Sequence, residues 1–257
     1  MATRSSTPGA PCWNDLASAD PDRAQEFYTR LFGWSAQDAG EEYAHYVNFA
    51  KDGVVVAGMM RNDPAWGLPD GWSTYLASLD AKATAVAAVG AGGHVVIEPM
   101  DLMGLGWMTV VADAAGGAVG VWQAGTHPGF GVTGLPGTPA YHELHTREYR
   151  GAVEFYEKVF GAGMTVVSDS DEWRYTNLLD ADGEPVAGIM DASASQPEGL
   201  APSWHVYFAV DDVDAAVARV EELGGSVLEP PADTPYGPLA RVADPTGVTF
   251  KLSRAQS

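Results

Sequence analysis

The amino-acid sequence predicts an α+β fold made of four βαβββ modules, arranged as two tandem domains. The first observation is an internal repeat, because residues 25–34 read QEFYTRLFGW and residues 153–162 read VEFYEKVFGA. The second is that further matches follow in the same order at a spacing of about 130 residues, which indicates a duplicated domain. The matching groups are Val56-Ala57-Gly58 with Val186-Ala187-Gly188, Trp72 and Tyr75 with Trp204 and Tyr207, Gly92-Gly93 with Gly224-Gly225, and Asp113 with Asp244.

The duplication predicts a first domain at residues 10–124 and a second at residues 140–254. Residues 125–139 between them read GTHPGFGVTGLPGTP, and this Gly, Pro and Thr content is typical of a linker. A chain of 257 residues is long enough for two domains of ordinary size, and a hydrophobic content of 46% is enough for a core in each.

The first module begins with a strand-like segment from Cys12 to Ala17. Asp20 is placed to cap a helix that starts with Pro21 in its first turn and runs to about Leu31. Strands are predicted at residues 43–50 and 54–60, joined by the hairpin signal Lys51-Asp52-Gly53.

The second module repeats this order, with a strand from Trp72 to Leu79 and an Ala/Val helix that Asp80 caps and Gly90–Gly93 ends. Strands are predicted at residues 95–98, 107–112 and 118–123. The second domain repeats both modules, and its last helix, residues 212–223, has its apolar residues at helical spacing.

Charge and composition exclude several classes of function. Fourteen basic against thirty-four acidic residues give a net charge of −20, which repels nucleic acid and anionic membranes. No apolar run is long enough for a membrane helix, and the first eleven residues lack the apolar core of a signal peptide, so we expect a cytoplasmic protein. The single cysteine, Cys12, excludes an internal disulfide and is expected to be a small buried side chain.

The module order and three sequence phrases resemble the vicinal oxygen chelate superfamily, which includes glyoxalase I, extradiol dioxygenases, fosfomycin-modifying enzymes and bleomycin-binding resistance proteins. The phrases are the FY–FG helix, the DDVDA helix that ends in GG, and the closing D-P-x-G before a strand. The segment P-C-W-x-D-L-x-x-x-D at residues 11–20, followed by F-Y-x-x-L-F-G-W, is similar to two-domain actinobacterial proteins labelled glyoxalase-like or hydroxylase. The resemblance implies two tandem glyoxalase/bleomycin-resistance/dioxygenase-like domains.

The resemblance also implies where a metal ion would be bound. In metal-dependent members, ligands lie on the first strand seven residues before the helix-capping acid, on the fifth strand, and on the last strand after D-P-x-G. The first-strand count places Trp13 before Asp20 and Tyr141 before Glu148. The six positions are Trp13, Ser73 and Gly120 in the first domain and Tyr141, His205 and Lys251 in the second. Only His205 is a usual metal ligand, so no metal or other cofactor is expected.

One alternative keeps a divalent metal in the second domain. Strand alternation places Tyr141, Glu143, His145 and Arg147 on one face, so Glu143 and His145 could join His205 as a set of two histidines and one carboxylate. The other interpretation is that Glu143 and His145 hydrogen-bond to one another or to a ligand, while His142 packs on the opposite face.

The resemblance assigns a cavity face to each domain, and aromatic walls with a few polar groups are typical of a small-molecule pocket. The predicted ligand-binding residues are Trp13, Asp15, Ser73, Tyr75, Trp122 and Tyr207, and the predicted catalytic residues are His205, Glu143, His145, Tyr141 and Lys251.

Two functions remain open from the sequence. The first is metal-independent binding of an aromatic natural product or antibiotic. The second is an enzyme, with glyoxalase-, dioxygenase- or hydroxylase-like chemistry at a metal or with metal-free acid–base chemistry in the second domain. The expected partner is a small-molecule ligand, as a monomer or homodimer. Because only the second copy has Glu143, His145, His205 and Lys251 at these positions, it is expected to be the chemically active one.

Overall fold

A computed structural model of the chain describes residues 7–63, 65 and 67–255. Residues 1–6, part of the segment used to argue against a signal peptide, lie outside this description. Within the described residues, no helix is long and apolar enough to cross a membrane.

Four successive βαβββ modules make up the described chain, as the sequence predicts. The first contains β1 (Pro11–Ser18), α1 (Pro21–Phe32), β2 (Ser35–Asp38), β3 (Val47–Lys51) and β4 (Val54–Arg61). The second contains β5 (Gly71–Ala77), α2 (Ala81–Gly90), β6 (His94–Asp101), β7 (Gly106–Ala112) and β8 (Ala118–Ala124). The third contains β9 (Pro139–Thr146), α3 (Tyr149–Phe160), β10 (Gly163–Asp169), β11 (Arg174–Leu179) and β12 (Pro185–Asp191). The fourth contains β13 (Ser203–Val210), α4 (Val213–Glu222), β14 (Ser226–Thr234), β15 (Gly237–Ala243) and β16 (Thr249–Arg254).

The strands form two eight-stranded mixed sheets of identical topology. The first has the order β2-β3-β4-β1-β5-β8-β7-β6 and the second the order β10-β11-β12-β9-β13-β16-β15-β14. In each module the first strand runs parallel to the last, while the hairpins are antiparallel. This arrangement confirms the predicted α+β fold of duplicated βαβββ modules.

Each sheet is built from one half of the sequence, but each of the two compact units of the chain contains residues from both halves. One unit contains the described residues up to Trp13, Thr74–Gly129 and His142–Trp204. The other contains the described residues of Asn14–Ser73, Phe130–Tyr141 and His205–Ser257. The first of these is called the central unit, because it contains mainly the second and third modules, which are central in the sequence. The other is called the outer unit, because it contains mainly the first and fourth modules. The domain boundaries 10–124 and 140–254 stay a prediction.

Each unit has its own hydrophobic core, to which both halves of the sequence contribute. In the outer unit, aromatic rings of α1 pack on those of β13 and β16: Phe32 lies 4.9 Å from Phe208, and Phe27 lies 6.1 Å from Phe250. In the central unit, the buried faces of α2 and α3 share one core, which includes Ala85 and Phe155. The helices therefore pack with partners from the opposite half of the sequence.

A buried indole–phenol hydrogen bond explains why the FY phrase and the following Trp recur together. In the outer unit Trp72 Nε1 donates to the Tyr28 hydroxyl at 3.0 Å, and in the central unit Trp204 Nε1 donates to the Tyr156 hydroxyl at 3.0 Å. Burial raises the pKa of both tyrosines, and the nearby charge of Asp244 raises that of Tyr28 further. The bond fastens each helix to the strand that carries the Trp.

All four helices start where the sequence analysis expects, and three of the four starts carry a side-chain cap. Asp20, Asp80 and Asp212 each accept a hydrogen bond from a backbone N–H in the first turn of the following helix. Glu148 occupies the corresponding position before α3, but its side chain makes no capping hydrogen bond. Glu148 therefore holds the expected N-cap position, but the expectation that its side chain caps the helix is wrong.

The strand predicted at residues 43–50 is also wrong in its first half. Residues Glu41–Tyr43 form a 3-10 turn, Ala44 and His45 have positive φ angles of 52° and 56°, and β3 begins only at Val47. The fourth strand of this module, which the sequence analysis did not predict, is β2; it is short and mostly exposed and therefore lacks an apolar signal. Cys12, by contrast, is fully buried as expected, and burial raises the pKa of its thiol.

The buried phenol of α3 gives a first test of this architecture. Replacing Tyr156 with Phe leaves the buried Trp204 N–H without its acceptor, so we expect a loss of about 1–3 kcal/mol in the free energy of unfolding. Urea denaturation of Tyr156→Phe measures this, with Tyr236→Phe as the control at an exposed tyrosine. Equal stabilities of the two variants would contradict the proposed role of the bond.

His142 on β9 gives a pH test, because it is 3% exposed and burial lowers its pKa to about 3. In the unfolded chain this histidine binds a proton at about pH 6.5, whereas in the folded chain it stays neutral down to a much lower pH. The free energy of unfolding therefore falls by about 1.4 kcal/mol per pH unit as pH falls from about 6.5 towards 3. Denaturation of His142→Gln between pH 7.5 and 5 should show a shallower loss than wild type. The control His94→Gln, at an exposed position, should keep the wild-type slope; a His142→Gln slope equal to it would refute the assignment.

Candidate functional site

In the central unit, a tyrosine and a carboxylate from two non-adjacent strands meet across a glycine. The Tyr175 hydroxyl on β11 donates to Glu143 Oε1 on β9 at 2.8 Å, and Gly188 of β12 lies opposite Glu143 between them. Tyr175 is 8% exposed and Glu143 is 7% exposed, so the contact is almost completely buried. A buried carboxylate is stable only with such donors.

The glycine is required by the distance that the two side chains span. β11 and β9 are separated by one intervening strand, β12, and therefore lie about 10 Å apart. The side chains of Tyr175 and Glu143 must reach towards each other over β12. A methyl group at Gly188 would overlap the Tyr175 hydroxyl. This explains the glycine of the Val186-Ala187-Gly188 repeat, which strand geometry alone would not demand.

His145 and Met190 extend this site along the sheet. His145 Nε2 lies 2.5 Å from Glu143 Oε2, and both side chains are largely buried. Met190 lies opposite both Tyr175 and His145 in the strand register, so all three side chains share one face. The carboxylate thus lies between a phenol and an imidazole, an arrangement that can hold a polar ligand atom or transfer a proton.

The same construction occurs in the outer unit, from residues of the first half. The Tyr46 hydroxyl donates to Asp15 Oδ1, and a methyl group at Gly58, opposite Asp15, would overlap both groups. Met60 takes the place of Met190, but its neighbour on β1 is Ala17 where the second half has His145. The two copies therefore share the Tyr, carboxylate, Gly and Met, and differ at the histidine.

Tyr46 and Tyr175 were missed by the sequence analysis, although a signal for them exists. Both begin a Y-x-N phrase, and the asparagines, Asn48 and Asn177, lie opposite Gly58 and Gly188 on the neighbouring strand. The repeat of Y-x-N opposite V-A-G could have predicted the pairing.

An aromatic cluster in the central unit contains two predicted ligand-binding residues, Trp13 and Trp122, with a linker histidine between them. The His127 ring lies 4.5 Å from Trp13 and 5.6 Å from Trp122, both nearly edge-on. Its Nδ1 accepts from Gly129 N at 3.0 Å, which places the ring proton on Nε2, and burial lowers its pKa. The predicted linker is thus packed against β1 and β8 at this point, and His127 was not foreseen.

The outer unit brings together three residues that the sequence analysis selected. Lys251 Nζ donates to the Tyr207 hydroxyl at 2.7 Å, and the Tyr141 ring lies edge-on 5.9 Å from that of Tyr207. His205 is half-buried on β13, and Ser73 is exposed on β5. Tyr75, in the central unit, lies over Gly120, where a Cβ would overlap its ring.

A separate groove lies beside the start of α2. It has a volume of about 330 Å³ and is lined mainly by apolar groups, including Leu79, Ala83, Ala87 and Phe160. Its polar groups serve the helix, since the Asp80 carboxylate accepts from Lys82 N and Ala83 N at 3.0 Å. The Ser78 and Thr84 hydroxyls, which also line the groove, lie 2.8 Å apart and hydrogen-bond to each other.

Comparison with known proteins identifies the family. Residues 139–252 match the model of the Glyoxalase/Bleomycin resistance protein/Dioxygenase superfamily. The chain is 39% identical over 264 residues to the anthracycline biosynthesis protein DnrV of Streptomyces peucetius, covering 95% of this chain and 93% of that one. The chain belongs to the glyoxalase/bleomycin resistance protein/dioxygenase superfamily.

Two further relatives show the range of this superfamily. CFP32 of Mycobacterium bovis, for which a glyoxylase function has been suggested, is 36% identical over 250 residues, covering 95% of this chain and 94% of that one. The Mn(II)-bound glyoxalase from Novosphingobium aromaticivorans has the same fold, with a TM-score of 0.67, 18% identity, and coverage of 98% of this chain and 84% of that one.

The superfamily implies a metal site, and the residues present fit a divalent cation poorly. At the last-strand positions Gly120 has no side chain beneath the Tyr75 ring, and Lys251 presents an ammonium group to Tyr207. The first-strand positions hold Trp13 and Tyr141, which leaves His205 as a usual ligand. Within the described residues, no group of three or more His, Cys, Asp or Glu is placed to hold a metal ion.

Substitution at Gly188 tests the construction of the site. Gly188→Ala should destabilise the protein by about 1–3 kcal/mol in urea denaturation, because its methyl group displaces Tyr175. The control Gly151→Ala, on an open face of α3, should be neutral or stabilising by about 0.5–1 kcal/mol. Removing the ring in Gly188→Ala/Tyr175→Leu should cost less than the sum of the single changes; strict additivity would argue against the overlap.

Proposed function

We propose that the protein binds a flat, polycyclic aromatic small molecule at the Glu143–Tyr175 site, without a metal ion in the family position. The observation that carries the proposal is the phenol–carboxylate bond across Gly188, with its polar groups beside the thioether of Met190. A binding site for a drug-sized aromatic ligand needs this combination of a few fixed polar groups and adaptable apolar surface.

The chemistry of the site favours a ligand with ring-bound oxygen atoms. Glu143 can accept a hydrogen bond from a hydroxyl group on the ligand ring. Because the Tyr175 hydroxyl donates its one proton to Glu143, its oxygen can also accept such a bond. Met190, between Tyr175 and His145, suits contact with the flat face or edge of an aromatic ring. The relative DnrV is named for anthracycline biosynthesis, and anthracyclines are oxygenated polycyclic aromatic compounds, which supports this ligand class.

The asymmetry between the copies supports the second half as the binding half. The family model matches residues 139–252, and His145 is present only there. In the first half, Trp13 and Trp122 already pack against the linker residue His127. We therefore expect one ligand per chain.

A second candidate function is metal-free acid–base catalysis at the same site. The 2.5 Å contact between His145 Nε2 and Glu143 Oε2 favours it, because a carboxylate that orients an imidazole also stabilises its protonated form. His205, Tyr141 and Lys251 stay candidates for further polar roles. Deuterium exchange into an aromatic ketone at the carbon beside its carbonyl, lost in His145→Gln, would favour the enzyme over the binding protein.

Calorimetric titration with quinizarin, a flat dihydroxyanthraquinone, tests the binding function. We expect one site per chain, a dissociation constant unchanged by prior dialysis against a chelator, and about five- to tenfold weaker binding by Glu143→Gln and Tyr175→Phe, since each loses a hydrogen bond. The matched control is Tyr46→Phe, which removes the same hydroxyl from the first-half copy and should change the constant by less than about twofold.

Two results would refute the proposal. One is binding that disappears after removal of metal and returns with a stoichiometric divalent ion. The other is binding that neither Glu143→Gln nor Tyr175→Phe affects.

A further inference from the structure

One aromatic side chain at the edge of the candidate site is exposed without a structural reason. Among the seven tryptophans in the described part of the chain, Trp173 alone is exposed, at 42%, whereas five are buried and Trp107 is partly buried. At 42% exposure, the indole keeps a large, flat apolar surface accessible to a ligand.

The backbone of Trp173 is held rigidly by the turn between β10 and β11. Its carbonyl oxygen accepts from Ser168 Oγ at 2.7 Å and from Ser170 N at 3.2 Å, and its N–H donates to Ser170 Oγ at 3.2 Å. The next residue, Arg174, is held by Asp169 and Asp191, each at 3.1 Å. The turn therefore holds the backbone from which the indole projects, which lowers the entropy cost of ordering this segment on binding.

The indole continues the candidate site towards solvent. The Trp173 ring lies 5.5 Å from the Tyr175 ring at an angle of 33°, and the Tyr175 hydroxyl reaches Glu143. A path of aromatic surface thus leads from the exposed indole to the buried carboxylate.

The first half of the chain lacks this extension. Trp173 stands two residues before Tyr175, and the residue two before Tyr46 is Ala44, at a positive φ of 52°. The copies share the phenol–carboxylate bond, so the indole is an addition to the second-half site. This difference is the one expected if only the second copy binds an extended ring system.

We propose that Trp173 is a stacking residue of the second-half site, which holds the outer ring of a planar, polycyclic ligand whose oxygen-bearing end lies at Tyr175 and Glu143. This inference rests on the proposed function and adds the size and shape of the ligand to it. A single-ring compound at Tyr175 would gain nothing from the indole, whereas a ligand of three or more fused rings would cover it.

Titration with quinizarin tests this role in the full-length protein. Trp173→Leu, which keeps apolar bulk but no flat ring, should bind about tenfold more weakly, and Trp173→Phe should recover most of the affinity. Tyr236→Leu is the matched control, because Tyr236 is 64% exposed in the turn between β14 and β15, and it should leave binding unchanged.

Fluorescence separates stacking from a merely structural role. The emission of wild type minus that of Trp173→Phe reports Trp173, and saturating quinizarin should quench this difference almost fully. The inference is overturned if the difference survives saturation, or if Trp173→Leu binds quinizarin as wild type does. In those cases weaker binding by Glu143→Gln and Tyr175→Phe still upholds the proposed function, whereas no binding to wild type contradicts both.

Discussion

The hydrogen bond from a strand tryptophan to a helix tyrosine is the interaction on which the rest of this structure depends. Trp72 and Tyr28 make it in one unit, and Trp204 and Tyr156 make it in the other. All four side chains are buried, so an N–H without an acceptor there would cost about 1–3 kcal/mol. The bond therefore fixes which face of β5 and β13 is covered by helix.

The opposite face of these strands carries Tyr75 and Tyr207, which the sequence analysis selected as candidate ligand-binding residues. Side chains alternate along a strand, so Tyr75 and Tyr207, three residues after the tryptophans, point away from the helix layer. Tyr75 lies over Gly120, and Tyr207 accepts from Lys251. The W-x-x-Y phrase of each half thus joins one residue that holds the helix to one residue on the opposite face of the strand.

Much of the fold could be predicted from the sequence, because its signals are local. The repeat revealed the duplication, and Asp20, Asp80 and Asp212 marked helix starts through their own side-chain bonds. The sequence could not predict which modules pack together in each core, because the apolar face of a helix such as α1 does not specify the strands or helices that it packs against. Only the structure pairs Phe32 with Phe208.

The site was predicted in part, for a similar reason. Alternation along β9 placed Glu143 and His145 on one face, and they lie in contact. Tyr175 was missed because its bond crosses a whole strand, and Tyr46 because the segment before β3 was assigned to a strand that begins later. His127 lies in a segment whose Gly and Pro content indicated only a linker, although it packs between two tryptophans.

We propose that the phenol–carboxylate bond across Gly188 marks the ligand-binding surface. A crystal structure of the complex with quinizarin tests it most directly. We expect one ligand per chain, with a ring oxygen within hydrogen-bond distance of Tyr175, Glu143 or His145 and ring atoms against Met190. Ligand density in the groove beside α2, with none at Tyr175, would contradict it.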